Sequence, residues 1–218
     1  MNDAEIVRDF IPNSLRTLSP GFSGSKVPVI AIINAVSHFR QSAERLDDIK
    51  KTLFYDKPEA FARLRANMPL LGVDPNAPEV LCLTHDISDY DKNVLHALLG
   101  IFTEAGELAE ALERMMVEGA ELDETNLKEE CGDIFWYVAV LFAQISTTFP
   151  AEMDRVVRKL QTRFPDKFTN DAANVRDLEA ERATLESDGV SGKPFHDGHK
   201  VSPRTSDMDD VCEAEKNA

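Results

Sequence analysis

The fold of this chain is decided by two helical stretches, HALLGIFTEAGELAEAL at residues 96–112 and NLKEECGDIFWYVAVL at residues 126–141. In both stretches, apolar residues recur at the spacing of an α-helix. The pattern predicts one helix from about 91 to 117 and another that starts near 124 and ends before Pro150. Because the linking segment EGAELDETN is short, we expect the two helices to be antiparallel neighbours.

Each of these helices carries a pair of acids three residues apart: Glu104 and Glu107 in the first, Glu130 and Asp133 in the second. Residues at i and i+3 share one face of a helix, so the two pairs can point to one place in space. Four converging carboxylates repel unless a cation lies between them, and Mg²⁺ or Mn²⁺ suits oxygen ligands better than zinc does. About seven such pairs arise by chance in a chain this acidic, so the spacing alone leaves a solvated face or salt bridges as the alternative.

The surroundings of these acids add to the case for a metal site. The first pair lies at the margin of the apolar arc of its helix, beside Gly100 and Ala111, and such small residues allow another element to come close. The second helix continues as IFWYVAVLFA at residues 134–143, which is apolar nearly all round and predicts a buried helix. The second pair is then at the mouth of a buried helix, where an unpaired charge is costly.

The remainder of the chain predicts more helices and no sheet, so we expect an all-α fold, a helical bundle around the antiparallel pair. Prolines, glycines and serines in residues 1–26 predict a loosely ordered N-terminal arm, and residues 27–187 predict the helical domain. Residues 188–218 have few large apolar side chains and predict a disordered C-terminal tail. Within the domain, further helices are expected at about 27–54, 58–68, 151–163 and 172–186.

The composition narrows the classes of function. The 218 residues include 39 acids and 24 bases, a formal net charge of −15. A free-standing nucleic-acid binder or a protein of anionic membranes is expected to be basic, so neither class fits. The three cysteines form no disulfide or zinc pattern, the longest apolar run is too short to span a bilayer, and the N-terminus lacks a signal-peptide pattern. We therefore expect a cytoplasmic protein with no nucleic-acid or membrane partner.

In this context the sequence resembles the MazG-like all-α nucleoside triphosphate pyrophosphohydrolases. Their mark is ExxE, a spacer and then ExxD on two antiparallel helices, and the two acid pairs match it. The likeness continues through KLQTRFPDKFT and NVRDLEAERATLE, so it covers about residues 93–186. Two features depart from the family pattern. Thr103 stands where many members have a second glutamate, and LFYDKP at residues 53–58 resembles a stretch that other members place after the ExxE helix.

The resemblance implies Mg²⁺-dependent hydrolysis of a nucleoside triphosphate to the monophosphate and pyrophosphate, with Mn²⁺ as a possible substitute. It also implies that Glu104, Glu107, Glu130 and Asp133 are the metal ligands and that the catalytic base is among or beside them. Divalent cations suit this reaction because they neutralise phosphate oxygens and lower the pKa of a bound water. Glu129 projects about 100° away from its neighbour and is a weaker candidate.

The phosphates also need cationic partners. Lys159 and Arg163, at i and i+4 near a helix end, match positions where the family carries basic residues, which implies phosphate binding; a surface salt bridge is the alternative. Lys51 and Lys57 are further candidates for substrate binding. His96 precedes the first acid pair by about two turns on the same side of the helix, and is a candidate for substrate binding or a structural histidine.

Other functions stay open at this point. One alternative is a non-enzymatic acidic helical adaptor or nucleic-acid mimic, which would use overall charge rather than four particular acids. Another keeps the chemistry but acts on an alarmone or a phosphoribosyl nucleotide. A helix as apolar as residues 134–143 needs cover on every side, and members of the family associate through such helices, so we expect a homodimer or homotetramer.

Overall fold

The computed structural model describes residues 2–74 and 87–187, and within them the only regular secondary structure is helical. The expected all-α class is confirmed, whereas the expected tail at residues 188–218 lies outside the described residues. The helices are α1 (Asp3–Arg16), α2 (Val29–Tyr55), α3 (Pro58–Asn67), α4 (Asp89–Glu118), α5 (Glu124–Gln144), α6 (Phe149–Arg163), α7 (Asn170–Asn174) and α8 (Leu178–Glu186).

Side-chain caps explain where the central helices begin and end. The Ser88 side chain accepts a hydrogen bond from the Asp91 N–H at the start of α4, and the helix ends at Gly119 in the left-handed conformation, with φ 66°. Asp123 then accepts the N–H groups of Thr125 and Asn126 and starts α5. The chain therefore reverses over a few residues, and α4 and α5 pack as the predicted neighbours.

Two glycines let the helices of the central group approach closely. α2 packs against α4 and α3, and a Cβ at Gly106 of α4 would overlap the Cβ of Ala43 on α2. On the other side of α4, a Cβ at Gly100 would overlap the ring of Tyr137 on α5. Both side chains therefore occupy space that only glycine leaves free, which brings α2 and α5 against the same part of α4.

The helices α1, α6 and α8 form a second group, in which α6 packs against both others. The Arg16 guanidinium donates to the carbonyl oxygens of Phe164, at 3.2 Å, and Asp166, at 2.5 Å, just after α6. Glu181 of α8 is buried and accepts from Arg163 and Arg176. Polar contacts to the end of α6 thus support its packing against both partners.

Three expectations about the helices need correction. Residues 3–16, expected in a loosely ordered arm, form α1, which begins with a reciprocal capping box between Asn2 and Glu5 and packs against α6. The helix expected at 172–186 is interrupted between α7 and α8. The α5 helix is not buried all round: Phe135 is 60% and Trp136 56% exposed, because among the described residues α5 packs chiefly against α4.

Within the described residues, no single helix is long and apolar enough to cross a membrane. One bent pair, α5 followed by α6 at 94°, meets the requirements of length and composition when the two are joined.

The close contact at Gly106 predicts opposite effects for two glycine substitutions. Gly106→Ala should lower the free energy of unfolding by about 1–3 kcal/mol, because the new methyl group overlaps Ala43. Gly132→Ala in α5 is the matched control, since a Cβ there meets nothing within 4 Å. That change should raise the free energy of unfolding by up to about 1 kcal/mol through helix propensity. Urea unfolding of both variants measures this, and equal stabilisation by both would contradict the packing described.

Candidate active site

Three of the four predicted acids lie together where α4 and α5 face each other. Glu104 and Glu107 project from α4 and Glu130 projects from α5, and one carboxylate oxygen from each lies within 4.8 Å of the other two. Glu104 and Glu130 are buried, at 8% and 4% exposure, whereas Glu107 is exposed. The three therefore form an acidic cluster with one face open to solvent.

Confinement changes the proton affinity of this cluster. Burial, together with the negative charge of Glu107 and a hydrogen bond to it, raises the pKa of Glu130 to about 7. Burial and the charge of Glu104 also raise the pKa of Glu107. Near neutral pH the Glu107–Glu130 pair thus holds on to a proton that two separate glutamates would release.

Asp133, the fourth predicted acid, has a different position. It follows Glu130 by one turn of α5, is exposed, and does not belong to the group of oxygens within 4.8 Å. Its charge contributes to raising the pKa of Tyr137, after burial and the influence of Tyr55 and Glu104. Its role as a metal ligand stays a prediction.

Lys50 of α2 joins this site and was missed by the sequence analysis. Its side chain is 5% exposed, and its Nζ donates to Thr103 Oγ1 at 2.7 Å and to Glu104 Oε1 at 3.4 Å. Asp47 lies 3.4 Å away on the same helix. Lys50 follows Ala43 by two helical turns on the face that packs against α4, so a charge on that face was the signal that could have found it.

Aromatic side chains surround the inner end of the site. His96 stacks on Phe54 at 4.2 Å between ring centroids, and its Nε2 lies 3.1 Å from the Tyr55 hydroxyl. The Tyr137 ring meets His96 edge-on, with 5.8 Å between centroids. Burial and the nearby Lys50 lower the pKa of His96. His96 therefore joins Phe54, Tyr55 and Tyr137 in one aromatic group, and the Tyr137 hydroxyl connects this group to Lys50.

Two of the lysines predicted to bind substrate lie near this aromatic group, one close to the C-terminal end of α2 and one just after that helix. Lys51 forms an ion pair with Asp47, and the Lys57 ammonium lies over the Tyr55 ring, 5.9 Å from its centroid. Lys51 and Lys50 thus share Asp47 as a partner, and Lys57 contacts the Tyr55 ring that borders His96.

The structure places the other two predicted basic residues on α6. Arg163 pairs with Glu181 through Nε at 2.7 Å and Nη2 at 2.5 Å, and these bonds, together with those from Arg176, lower the pKa of Glu181 to about 2. Lys159 is partly buried one turn earlier. In residues 2–74 and 87–187, no hydrogen bond or ion pair joins either residue to the acidic cluster. Their phosphate-binding role stays a prediction.

A cavity of about 470 Å³ opens beside the cluster, between α2, α3 and α4. Glu107 and Thr103 lie on its wall, together with two arginines. Arg40 donates to Glu113 at 2.6 Å, and Arg63 donates to the buried Asp48 at 2.7–2.8 Å. Its volume is in the range of small-molecule sites, and both signs of charge line it.

The residues of the cluster fit a hard divalent cation. All three donors are carboxylates and their oxygens are close enough to share one ion; burial and the charges of neighbouring carboxylates raise the pKa of Glu107 and Glu130, and a cation between them would offset that repulsion. Cysteine and histidine, which zinc sites commonly use, are absent from the group. Mg²⁺ or Mn²⁺ therefore suits this donor set.

The raised pKa of Glu130 predicts how pH changes stability when divalent ions are chelated. Between about pH 4.3, the ordinary value for glutamate, and pH 7, folded Glu130 keeps a proton that the unfolded chain has lost. The stability of the wild type should therefore fall as pH rises through this range, relative to Glu130→Gln, which cannot ionise. Above pH 7 the variant should be more stable by about 1–3 kcal/mol in urea unfolding with EDTA present.

Glu129→Gln is the control for this effect, because Glu129 is the exposed preceding residue. The difference in free energy of unfolding between Glu129→Gln and the wild type should stay nearly constant with pH. A Glu130→Gln difference that is the same at pH 5 and pH 8 would contradict the shared proton.

Comparisons with known proteins agree with this geometry. The family model of the MazG nucleotide pyrophosphohydrolase domain matches residues 93–168, which contain all three acids of the cluster and Asp133. No curated protein and no solved structure matches the chain. Residues 93–168 are therefore similar to the MazG nucleotide pyrophosphohydrolase domain.

Proposed function

We propose that the chain is a Mg²⁺-dependent nucleoside triphosphate pyrophosphohydrolase that converts a ribo- or deoxyribonucleoside triphosphate and water to the monophosphate and pyrophosphate. The observation that carries the proposal is the convergence of Glu104, Glu107 and Glu130 within the segment that matches the MazG domain. The domain indicates a hydrolase of nucleotide pyrophosphate bonds in general; the triphosphate, the metal and the bond cleaved are the finer parts of the proposal.

Glu104, Glu107 and Glu130 would hold the cation. Asp133, one turn after Glu130 in α5, is proposed as a fourth ligand. When bound, Mg²⁺ neutralises phosphate oxygens and lowers the pKa of a water. Glu107 is the exposed member of the cluster and lies on the cavity wall, so it is the carboxylate best placed to orient that water. In the proposed reaction, a water oxygen would bond to the α-phosphorus while the bond from that phosphorus to the α,β-bridging oxygen breaks; a carboxylate would take the water's proton, and pyrophosphate would leave.

The cavity beside the cluster is the proposed place of the nucleotide. Arg40 and Arg63 on its wall can meet phosphate oxygens, although each now pairs with an acid. Lys51, Lys57 and His96 would bind the substrate from the side of the site that carries the aromatic group. Lys159 and Arg163 on α6 remain proposed phosphate ligands. We place this activity in the cytoplasm.

We further propose that the protein is a homodimer or homotetramer. Phe135 and Trp136 on the outer face of α5 are more than half exposed, and α6 leaves α5 at 94° towards the second group of helices. Association through this outer face would remove two large aromatic side chains from water.

The hydrolysis is tested with Glu107→Gln. The amide is nearly isosteric and the side chain is exposed, so the fold should persist while pyrophosphate release falls about 10²-fold or more. Glu121→Gln is the matched control, because Glu121 is exposed and outside the cluster, and it should keep wild-type activity. The assay should screen the common nucleoside triphosphates, an alarmone and a phosphoribosyl nucleotide, with and without EDTA.

Phosphorus NMR in ¹⁸O-water identifies the bond that is cleaved. The label should enter the monophosphate, and inorganic phosphate with a nucleoside diphosphate would refute the proposed reaction. A folded Glu107→Gln variant with full activity would instead favour the acidic adaptor, which depends on overall charge.

The assembly is tested with Trp136→Glu. A charge in the proposed interface should shift the protein towards the monomer in light scattering at micromolar concentration, because burial of an unpaired carboxylate is costly. Val175→Glu is the control, since Val175 is an apolar residue that is 81% exposed after α7, and it should leave the mass unchanged. A monomeric wild type would refute the proposed assembly.

A further inference from the structure

Lys50 is a buried cation in direct contact with the acidic cluster. Its Nζ lies within 3.4 Å of Glu104 Oε1 and of Asp47 Oδ1, and it donates to Thr103 Oγ1 at 2.7 Å. The Tyr137 hydroxyl is 3.4 Å away, and the Tyr137 ring centroid is 5.2 Å away. These contacts are thus made with oxygen acceptors and with an aromatic ring.

The position of Lys50 is set by the packing of α2 on α4. The close contact of Ala43 with Gly106 brings the face of α2 that carries Lys50 against Thr103 and Glu104. Lysine is rarely buried unless it is paired, because removing an ammonium from water is costly. The two carboxylates and the hydroxyl offset this cost, so the charge is held rigidly at one place.

Glu104 is shared between this ammonium and the acidic cluster. One of its oxygens accepts from Lys50, and the same carboxylate belongs to the group with Glu107 and Glu130. Lys50 approaches from α2, whereas Glu130 belongs to α5. The ammonium therefore occupies the space between Glu104 and Asp47, where those two carboxylates could otherwise share a second divalent ion.

We propose that Lys50 is a built-in cation of the site, which neutralises Glu104 and Asp47 and restricts the cluster to a single divalent ion. The inference rests on the proposed metal-dependent function. Lys50 is a positioning residue in this role: it holds Glu104 in place through Thr103 and repels a second metal. The remaining positive charge needed by the site comes from one ion among Glu104, Glu107 and Glu130.

Mn²⁺ binding tests this role without any substrate. We would titrate Mn²⁺ into metal-free wild type, Lys50→Met and Lys51→Met, by calorimetry and by electron paramagnetic resonance. At pH 8 competition from the proton on Glu130 is small, because its pKa is about 7. The wild type should bind one Mn²⁺ per chain, with no signal from a coupled pair of ions.

Removal of the ammonium should strengthen Mn²⁺ binding by about tenfold or more, because a repelling positive charge beside the ion has been lost. Lys51→Met is the matched control: it changes the net charge equally, but Lys51 is partly exposed and pairs with Asp47 rather than with Glu104. It should change the affinity less than about threefold, as a screened charge does.

The outcomes separate the two proposals. Two Mn²⁺ ions per wild-type chain, or equal affinities of wild type and Lys50→Met, would overturn the role of Lys50 and leave the hydrolase standing. No Mn²⁺ binding by the wild type would overturn the proposed function as well. If Lys50→Met does not fold, Lys50→Gln, which removes the charge but keeps an amide that can donate to Thr103, should give the stronger binding.

Discussion

Repulsion among the carboxylates that α4 and α5 bring together is the constraint on which the site depends. Glu104 and Glu130 are buried, and Glu107 lies between them and the solvent. Such a cluster is stable only if its charge is reduced, by a proton, a fixed cation or a bound metal. The raised pKa of Glu130 and the ammonium of Lys50 represent the first two of these. The third, a bound metal, is what the proposed nucleotide hydrolysis needs.

The packing of α4 makes this accumulation of charge possible. Gly100 and Gly106 remove the side chains that would keep α5 and α2 at a distance, so Tyr137 and Ala43 contact the α4 backbone surface. The acids between these two contacts cannot move apart without separating the helices. Close packing therefore maintains the repulsion, which a bound cation would relieve, and a cavity lies on the α2 side of the cluster.

Much of the fold and part of the site could be predicted from local patterns. The bounds of α2, α4 and α5 follow from apolar periodicity, proline and capping residues, which act within a few residues of each other. The i, i+3 spacing of the acids placed Glu104 and Glu107 on one face for the same reason. Their approach to Glu130 was predictable because a short link makes neighbouring helices antiparallel.

The sequence by itself thus determined the helices and the acids that they carry, because both depend on spacing along one helix. Only the tertiary structure decided which charges are paired. Lys50 reads as one more base in a charged stretch until α2 packs against Thr103 and Glu104, and Arg163 meets Glu181 only when α8 folds back on α6. The exposure of Trp136 has the same origin: periodicity shows that a face is apolar, but the neighbours available in space decide whether it is covered.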